Sequence, residues 1–270
     1  MQEFKHLFQA AGACLLAGDV DEKIHLTKEV ARQWREGKLS LQLEDAGKEV
    51  DNPGRPTSPK LVLPRELPLR KLTSEAGRAA FLHALAHIEF NAINLAWDAV
   101  HRFRGLPTDY YSDWVKVADE EARHFGLLRD RLRTLGHDYG DLPAHNGLWI
   151  MAQKTAFDPL VRMALVPRVL EARGLDVTPG MMQRLQDIGD FKSADVLKII
   201  LRDEVGHVEI GSRWFRYLCE QRGLQSDKTY KELLQEYMAG KLRPPFNDEA
   251  RRAAGFSDEE LTYLHQLSDG

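Results

Sequence analysis

The segment that decides the fold reads Asp-Glu-Glu-Ala-Arg-His at residues 119–124, and residues 202–207 read Arg-Asp-Glu-Val-Gly-His. The last four positions of each segment form a Glu-x-x-His motif. Residues three apart lie on one face of a helix. Each segment is therefore predicted to be helical and to present a carboxylate and an imidazole on the same side.

A further glutamate precedes each motif at nearly the same distance. The spacing from Glu89 to Glu121 is only one position shorter than the spacing from Glu171 to Glu204. Both upstream glutamates lie in apolar segments, where a carboxylate is costly to bury unless it is paired or binds a metal. Two such pairs of helices supply four carboxylates and two imidazoles, the ligand set of di-metal carboxylate bundles. The predicted metal ligands are Glu89, Glu121, His124, Glu171, Glu204 and His207.

Buried ion pairs are the alternative to a metal. Arg123, Arg173 and Arg202 lie close enough in sequence to supply them. We favour the metal, because one ion pair does not require two copies of the same layout. Glu120 and Asp203, which directly precede the motif glutamates, are predicted to accept the second ring proton of each histidine. A solvated position on the helix surface is an equal alternative for both acids.

Four core helices are predicted, over about residues 73–104, 108–136, 148–174 and 193–223. Thr73 or Ser74 caps the first, and Thr108 caps the second. The number of positions from Glu89 to the turn between these helices is nearly the same as the number from Thr108 to Glu121. Because rise per residue is constant in a helix, an antiparallel pair brings both glutamates to nearly the same depth.

The third core helix is predicted to be irregular. Pro167 removes one backbone hydrogen bond a turn before the glutamate, so a kink or bulge is expected there. Gly174 and Pro179 are expected to break the helix soon afterwards, and Thr178 is expected to cap a short separate helix.

The whole chain is predicted to divide into three segments. Residues 1–72 hold N-terminal helices and a Pro-rich extended arm, residues 73–224 the four-helix bundle, and residues 225–270 a C-terminal helical extension packed on it. Asp19 is expected to cap a helix in the first segment, and Ser257 the last helix of the chain.

These motifs resemble the ferritin-like superfamily, which implies an all-α four-helix bundle with a crossover connection, here with extra helices at both ends. The chain also resembles an uncharacterised bacterial family of ferritin-like proteins, which shares Glu-Ala-Arg-Gly-Leu-Asp at residues 171–176 and Pro-Phe-Asn at residues 245–247. The resemblance covers roughly residues 73–265. It implies that Glu121 and Glu204 bridge two metal ions, each completed by one upstream glutamate and one histidine.

The ligand set predicts a di-iron oxidoreductase that activates dioxygen and acts on a small organic molecule. Oxygen and imidazole ligands without thiolates suit iron or manganese, so two iron ions are expected and a manganese–iron or manganese pair stays open. Gly211, one turn beyond His207, leaves room for a substrate or permits close helix packing. Iron oxidation or storage, and a metal-free structural bundle, are the alternative functions.

Composition limits the partners. The net charge of −4 gives no global basic footprint for nucleic acid, although a modified tRNA stays open as a substrate. Two cysteines and the lack of a long apolar run predict a cytoplasmic protein without a membrane span. The long N-terminal arm and the C-terminal helices favour a monomer or dimer over a cage. One local basic run is interpreted as a solvated linker. It consists of Arg55, Lys60, Arg65, Arg70 and Lys71.

Overall fold

The protein is built from α-helices. The computed structural model describes residues 4–42, 50–67, 71–238 and 240–269. Helices account for 71% of these described residues, which contain no β-strand. The predicted all-α class is therefore confirmed. Within the same ranges, no helix is both long enough and apolar enough to cross a membrane.

The chain folds as two compact units, Met1–Gln153 and Lys154–Gly270. This division does not test the three segments predicted from the sequence, which stay a prediction. The loop over residues 134–146 connects α4 to α5, and its predicted role as a crossover in a bundle also stays a prediction.

The first unit contains one long helical hairpin preceded by two shorter helices. Its helices are α1 Leu7–Leu16, α2 Val20–Arg35, α3 Glu75–Arg102, α4 Thr108–Arg133 and α5 Gly147–Lys154, whose last residue belongs to the second unit. Two predicted caps are confirmed, because Asp19 accepts from the Glu22 N–H and Ser74 from the Gly77 N–H. The predicted cap at Thr108 is wrong, because Pro107 takes the cap position and Thr108 is already helical.

The buried side chain of Lys23, on α2, attaches the N-terminal helices to the hairpin. The buried Lys23 ammonium donates to the Cys14 carbonyl at 2.7 Å, the Leu15 carbonyl at 3.0 Å and Asn94 Oδ1 at 2.7 Å. Two of these acceptors are carbonyls in the last turn of α1, which have no partner within their own helix. Burial lowers the pKa of Lys23 to about 7. One side chain thus joins α1, α2 and α3.

The Pro-rich arm is extended over its described residues, apart from a 3-10 turn at Pro64–Glu66. Its residues 68–70, which include Arg70, lie outside the described residues. Lys60 and Arg65 are exposed, in agreement with a solvated linker. Arg55 is an exception, because it is half-buried and its Nη2 donates to Asn91 Oδ1 on α3 at 3.2 Å. For Arg55, the solvated interpretation is wrong.

The second unit places a π-helix between two α-helices. Its elements are α6 Pro159–Leu165, a π-helix Val166–Glu171, α7 Ala172–Asp187, α8 Phe191–Gln221, α9 Ser226–Met238, α10 Asp248–Ala253 and α11 Asp258–Asp269. The predicted bulge at Pro167 is confirmed as this π-helix. A single helix over 148–174 is wrong, because α5 and α6 are separate. Ser257 caps α11 as predicted, since its Oγ accepts from the Glu260 N–H.

Pro179 lies inside α7 without breaking it, so the expected break and the separate helix capped by Thr178 are wrong. A proline leaves the carbonyl four residues earlier without its helical partner. That carbonyl belongs to Leu175, and the Asn247 Nδ2 donates to it at 3.2 Å. The Asn247 N–H donates to Asp176 at 2.9 Å. The two segments quoted for the family resemblance therefore bind each other, and this contact compensates for the proline.

The π-helix also supplies the polar centre of the second unit. The Arg168 guanidinium lies 4.8, 4.1 and 4.5 Å from the ring centroids of Phe215, Tyr230 and Phe256. It donates to Glu260 on α11 at 2.6 Å. The Tyr230 hydroxyl donates to the Arg168 carbonyl at 3.1 Å. The C-terminal helices are thus anchored on the π-helix by cation–π contacts and a buried ion pair.

Candidate metal centre

Three predicted ligands form a buried cluster in the first unit. Glu89 on α3 is 6% exposed, while Glu121 and His124 on α4 are 1% and 0% exposed. The His124 Nδ1 lies 3.3 Å from Glu121 Oε2 and 3.4 Å from Glu89 Oε2. One ligand atom from each residue lies within 4.8 Å of the other two. Two carboxylates and one imidazole therefore converge closely enough to hold one metal ion.

Helix length explains why Glu89 meets Glu121. The spacing from Glu89 to Arg102, the last residue of α3, equals the spacing from Thr108, the first residue of α4, to Glu121. The turn between the helices contains Gly105 at φ +75°, a backbone conformation that glycine adopts without strain. Equal rise from a tight turn brings the two side chains to one level. The predicted depth match in this hairpin is confirmed.

Burial and mutual repulsion govern the protonation of this cluster. Burial raises the pKa of Glu89, and the neighbouring Glu121 carboxylate raises it further. Burial by itself would lower the pKa of His124, but the Glu121 and Glu89 carboxylates outweigh it and raise this pKa to about 11. In the described structure His124 is therefore held as an imidazolium, a cation between two carboxylates.

Glu89 has a polar atom that protein groups leave unsatisfied. Its Oε2 is buried and has no hydrogen-bond partner within the described residues, because the 3.4 Å approach of His124 lacks hydrogen-bond geometry. A buried carboxylate oxygen in this state costs free energy. A metal ion is a strong acceptor of such an oxygen lone pair, and the residue types present suit iron or manganese. The residues of this cluster therefore fit a metal.

The second motif lies on α8 in the second unit. Glu204 and His207 are buried, with His207 Nδ1 3.5 Å from Glu204 Oε1. Glu171 is the last residue of the π-helix and is partly buried. The motif thus presents its carboxylate and imidazole together, as predicted for two residues three positions apart in a helix. Convergence of all six ligands on one centre stays a prediction.

Close packing between the π-helix and α8 depends on Gly211. A Cβ added at Gly211 would lie 2.4 Å from Cβ and Cγ of Pro167, a distance that real Cβ atoms do not show. Of the two roles expected for Gly211, the structure supports close packing. The glycine allows the π-helix, and with it Glu171, to lie directly against the helix that carries the second motif.

Two of the arginines weighed as ion-pair partners of the glutamates, Arg202 and Arg173, bind other groups as well. Arg202 is 69% exposed and donates to Asp203 at 3.0 Å. Arg173 donates to the backbone carbonyls of Arg243 and Pro245, each at 2.8 Å. Arg123 is exposed and lines a surface cavity together with Glu120 and Lys28, among others. Acceptance of a histidine proton by Glu120 or Asp203 stays a prediction.

Sequence reasoning missed a second polar network on α3. His87 Nδ1 lies 2.9 Å from the Tyr139 hydroxyl, and His87 Nε2 lies 3.1 Å from the His145 carbonyl. Burial lowers the pKa of His87 to about 4, so this imidazole is neutral. The sequence does carry a signal for the network, a run of polar residues at helical spacing in an apolar helix. The run consists of His87, Asn91, Asn94 and Asp98.

The fold and the buried side chains define an all-helical protein with a carboxylate and imidazole cluster able to hold a metal ion. The chain belongs to the family described as "Protein of unknown function (DUF455)", which it matches over residues 16–262. The membership in an uncharacterised family inferred from the sequence is therefore confirmed.

A curated relative supports the same membership. The chain is 48% identical over 219 residues to an uncharacterized protein of Haemophilus influenzae, an alignment that covers 78% of this chain and 76% of the relative. No solved structure matches the chain.

Proposed function

We propose that this protein is a di-metal carboxylate oxidoreductase, with two iron ions as the cofactor and a small organic molecule and dioxygen as substrates. The observation that carries the proposal is the Glu89, Glu121 and His124 cluster. Two carboxylates and an imidazole are buried together there, and one carboxylate oxygen has no hydrogen-bond partner within the described residues. The His124 imidazolium balances only one of the two carboxylates, so burial of the other is costly unless a further cation compensates it.

The chain supplies several functions around such a cofactor. When bound, a pair of iron ions supplies the electrons needed to reduce dioxygen. Glu121 and His124 hold their ligand atoms on one helix face, so their geometry is fixed by the backbone of α4. Glu89 approaches from the neighbouring helix at 3.4 Å from His124. The apolar surroundings of α3 and α4 exclude water from this position.

The proposal includes the ferritin-like bundle, in which Glu171, Glu204 and His207 complete the centre. Support comes from the repeated order of glutamate, glutamate and histidine, and from the resemblance to ferritin-like proteins. A helical bundle is a common scaffold for such centres, because facing helices project ligands inward. A cytoplasmic location and a monomeric or dimeric state also stay predictions.

Anaerobic loading with Fe(II), followed by exposure to oxygen, tests the proposal. We expect about two iron ions per chain and a new absorption at roughly 350–700 nm, as carboxylate-bound iron is oxidised. Glu121→Ala should remove both signals. Glu75→Gln is the matched control, because Glu75 lies on α3 but is exposed in its first turn.

Two other outcomes would replace the proposal. Protein that binds no iron and shows no spectral change would leave a metal-free helical bundle. Iron oxidation in a large closed shell, seen by size-exclusion chromatography, would indicate iron storage. Turnover of an organic substrate by a monomer or dimer supports the oxidoreductase.

A further inference from the structure

A cavity in the first unit lies against the side of α3 away from Glu89. It has a volume of about 300 Å³. Its walls come from the Pro-rich arm, from α3 and from the loop after α4. They are formed by Arg55, Pro56, Thr57, Pro59, Lys60, Leu61, His87 and Tyr139. His87 precedes Glu89 by two residues, or about 200° around the helix, so the cavity and the metal cluster lie on opposite faces.

The charge of this cavity is positive, and no carboxylate of the described residues compensates it. Arg55 and Lys60 are its charged lining residues, and neither forms an ion pair with a carboxylate of the described residues. Arg55 makes one hydrogen bond, to Asn91, and its buried Nε has no partner within the same residues. Glu66, the first acid after Lys60 in the sequence, accepts from the Leu63 N–H in its own turn. A partly buried cation without a counter-ion is costly, so an anion in the cavity would be stabilised.

The remaining polar groups of the cavity are neutral. Burial lowers the pKa of His87 to about 4 and raises the pKa of Tyr139 above its ordinary value, so both groups are uncharged near neutral pH. The Tyr139 hydroxyl lies 2.9 Å from His87 Nδ1. Neither ring adds charge to the cavity. The positive charge comes from Arg55 and Lys60 alone.

Backbone hydrogen bonds hold the rim of the cavity in place. The Val62 N–H donates to the Ala144 carbonyl at 2.8 Å, and the Ala144 N–H donates to the Lys60 carbonyl at 3.0 Å. These bonds tie the arm to the loop that carries Tyr139. The cavity is thus formed by connected elements, and Pro56, Pro59 and Leu61 provide an apolar wall beside the cations.

We propose that this cavity binds a small organic anion, with its carboxylate or phosphate group at Arg55 and Lys60 and its apolar part on Pro56, Pro59 and Leu61. A volume of about 300 Å³ lies at the lower end of the range for ligand pockets, which suits a molecule of this size. A guanidinium matches both anionic groups with paired donors. The site is separate from the metal cluster and does not depend on the proposed oxidoreductase activity.

Titration calorimetry on the full chain tests this site, with phenyl phosphate, benzoate and inorganic phosphate as probes. We expect saturable binding of one phenyl phosphate or benzoate per chain, and the tighter of the two identifies the preferred anionic group. Weaker binding of inorganic phosphate would show that the apolar wall contributes. Arg55→Met and Lys60→Met should each weaken binding at least tenfold.

Arg65→Met is the matched control, because it removes the same charge from an exposed position of the same arm. It should leave the affinity unchanged. Lys60 is exposed, so its variant is expected to keep the fold, which circular dichroism checks. Each titration is repeated on chelator-treated protein, because anions also bind metal ions. Absence of saturable binding, an equal loss in Arg65→Met, or binding that disappears with the metal would each overturn the proposal.

Discussion

The two helical hairpins that carry the Glu-x-x-His motifs use the same residue order but different helix geometry. In the first, Glu89 is as far from the end of α3 as Glu121 is from the start of α4. In the second, Glu171 is farther from the end of α7 than Glu204 is from the start of α8. The mismatch of about three residues corresponds to about 4.5 Å of helical rise.

This difference shows that equal spacing in sequence does not imply equal local structure. The first hairpin positions its predicted ligands by regular helices and one tight turn. The second begins from a π-helix at Pro167, whose packing on α8 requires Gly211. A π-helix has more residues per turn, so it changes the direction of the side chains that follow, and such segments often occur at functional sites.

Loss of a motif glutamate has the largest expected effect and tests whether the two hairpins share one centre. If they do, as the sequence predicts, Glu121→Ala and Glu204→Ala should each remove both metal ions, with affinity falling at least about 100-fold. Elemental analysis of protein loaded with Fe(II) gives the number of ions. Retention of one ion in each variant would instead separate the hairpins into two independent sites.

The second largest expected effect is the pH dependence of metal binding, which compares the two motif histidines. The raised pKa of His124, about 11, means that the metal-free chain carries a proton that a metal must displace. Affinity for Mn(II) should therefore rise about tenfold per pH unit between pH 7 and 9, where a histidine of ordinary pKa would give no slope. Calorimetry in buffers of different ionisation enthalpy counts the released protons.

His124→Gln is the corresponding variant, and it should remove about one released proton. The same change at His207 measures the contribution of the second motif. A pH-independent affinity in the unmodified chain would contradict the protonation state inferred for the first cluster.

Gly211→Ala tests the packing that distinguishes the second hairpin. The added Cβ meets Pro167 at 2.4 Å, so the free energy of unfolding should fall by about 1–3 kcal/mol. Gly206→Ala on the same helix and Gly126→Ala on α4 are controls, because nothing lies within 4 Å of either added Cβ. Both should raise the free energy of unfolding by roughly 0.5–1 kcal/mol. Urea denaturation measures all three, and a stabilised Gly211→Ala protein would contradict the packing argument.

The smallest expected effect concerns the proline inside α7. Asn247→Asp keeps the oxygen that caps α10 but loses the Nδ2 donor to the Leu175 carbonyl. It should cost about 1 kcal/mol of unfolding free energy. In a Pro179→Ala background, the residue at 179 supplies its own N–H to Leu175, so the same change should cost less. Equal costs in both backgrounds, measured as a double-mutant cycle, would show that Asn247 does not compensate for the proline.

The sequence predicted the regular parts of the molecule well. Local rules of capping explain the caps of α2 at Asp19 and of α3 at Ser74. Constant helical rise explains why Glu89 and Glu121 converge in the hairpin of the first unit. The bulge at Pro167 follows from the missing N–H of proline. Membership in an uncharacterised family also followed from short sequence segments.

Other features depended on groups far apart in the chain. Pro179 was expected to break its helix, and this expectation was wrong. The donor that satisfies the freed carbonyl is Asn247, which lies beyond α9 and so is not predictable from the local sequence. The role of Gly211 depends on Pro167, a partner on another element.

The sequence by itself determined where the helices form and which faces carry carboxylates and imidazoles, because both depend on neighbours within one or two turns. Tertiary structure decided which irregular segments are tolerated, which carbonyls Arg173 binds, and that Arg55 lines a cavity instead of lying in a solvated linker. The physical reason is that burial and hydrogen bonding are satisfied by whichever group folding brings within about 3 Å, and local sequence does not encode that distance.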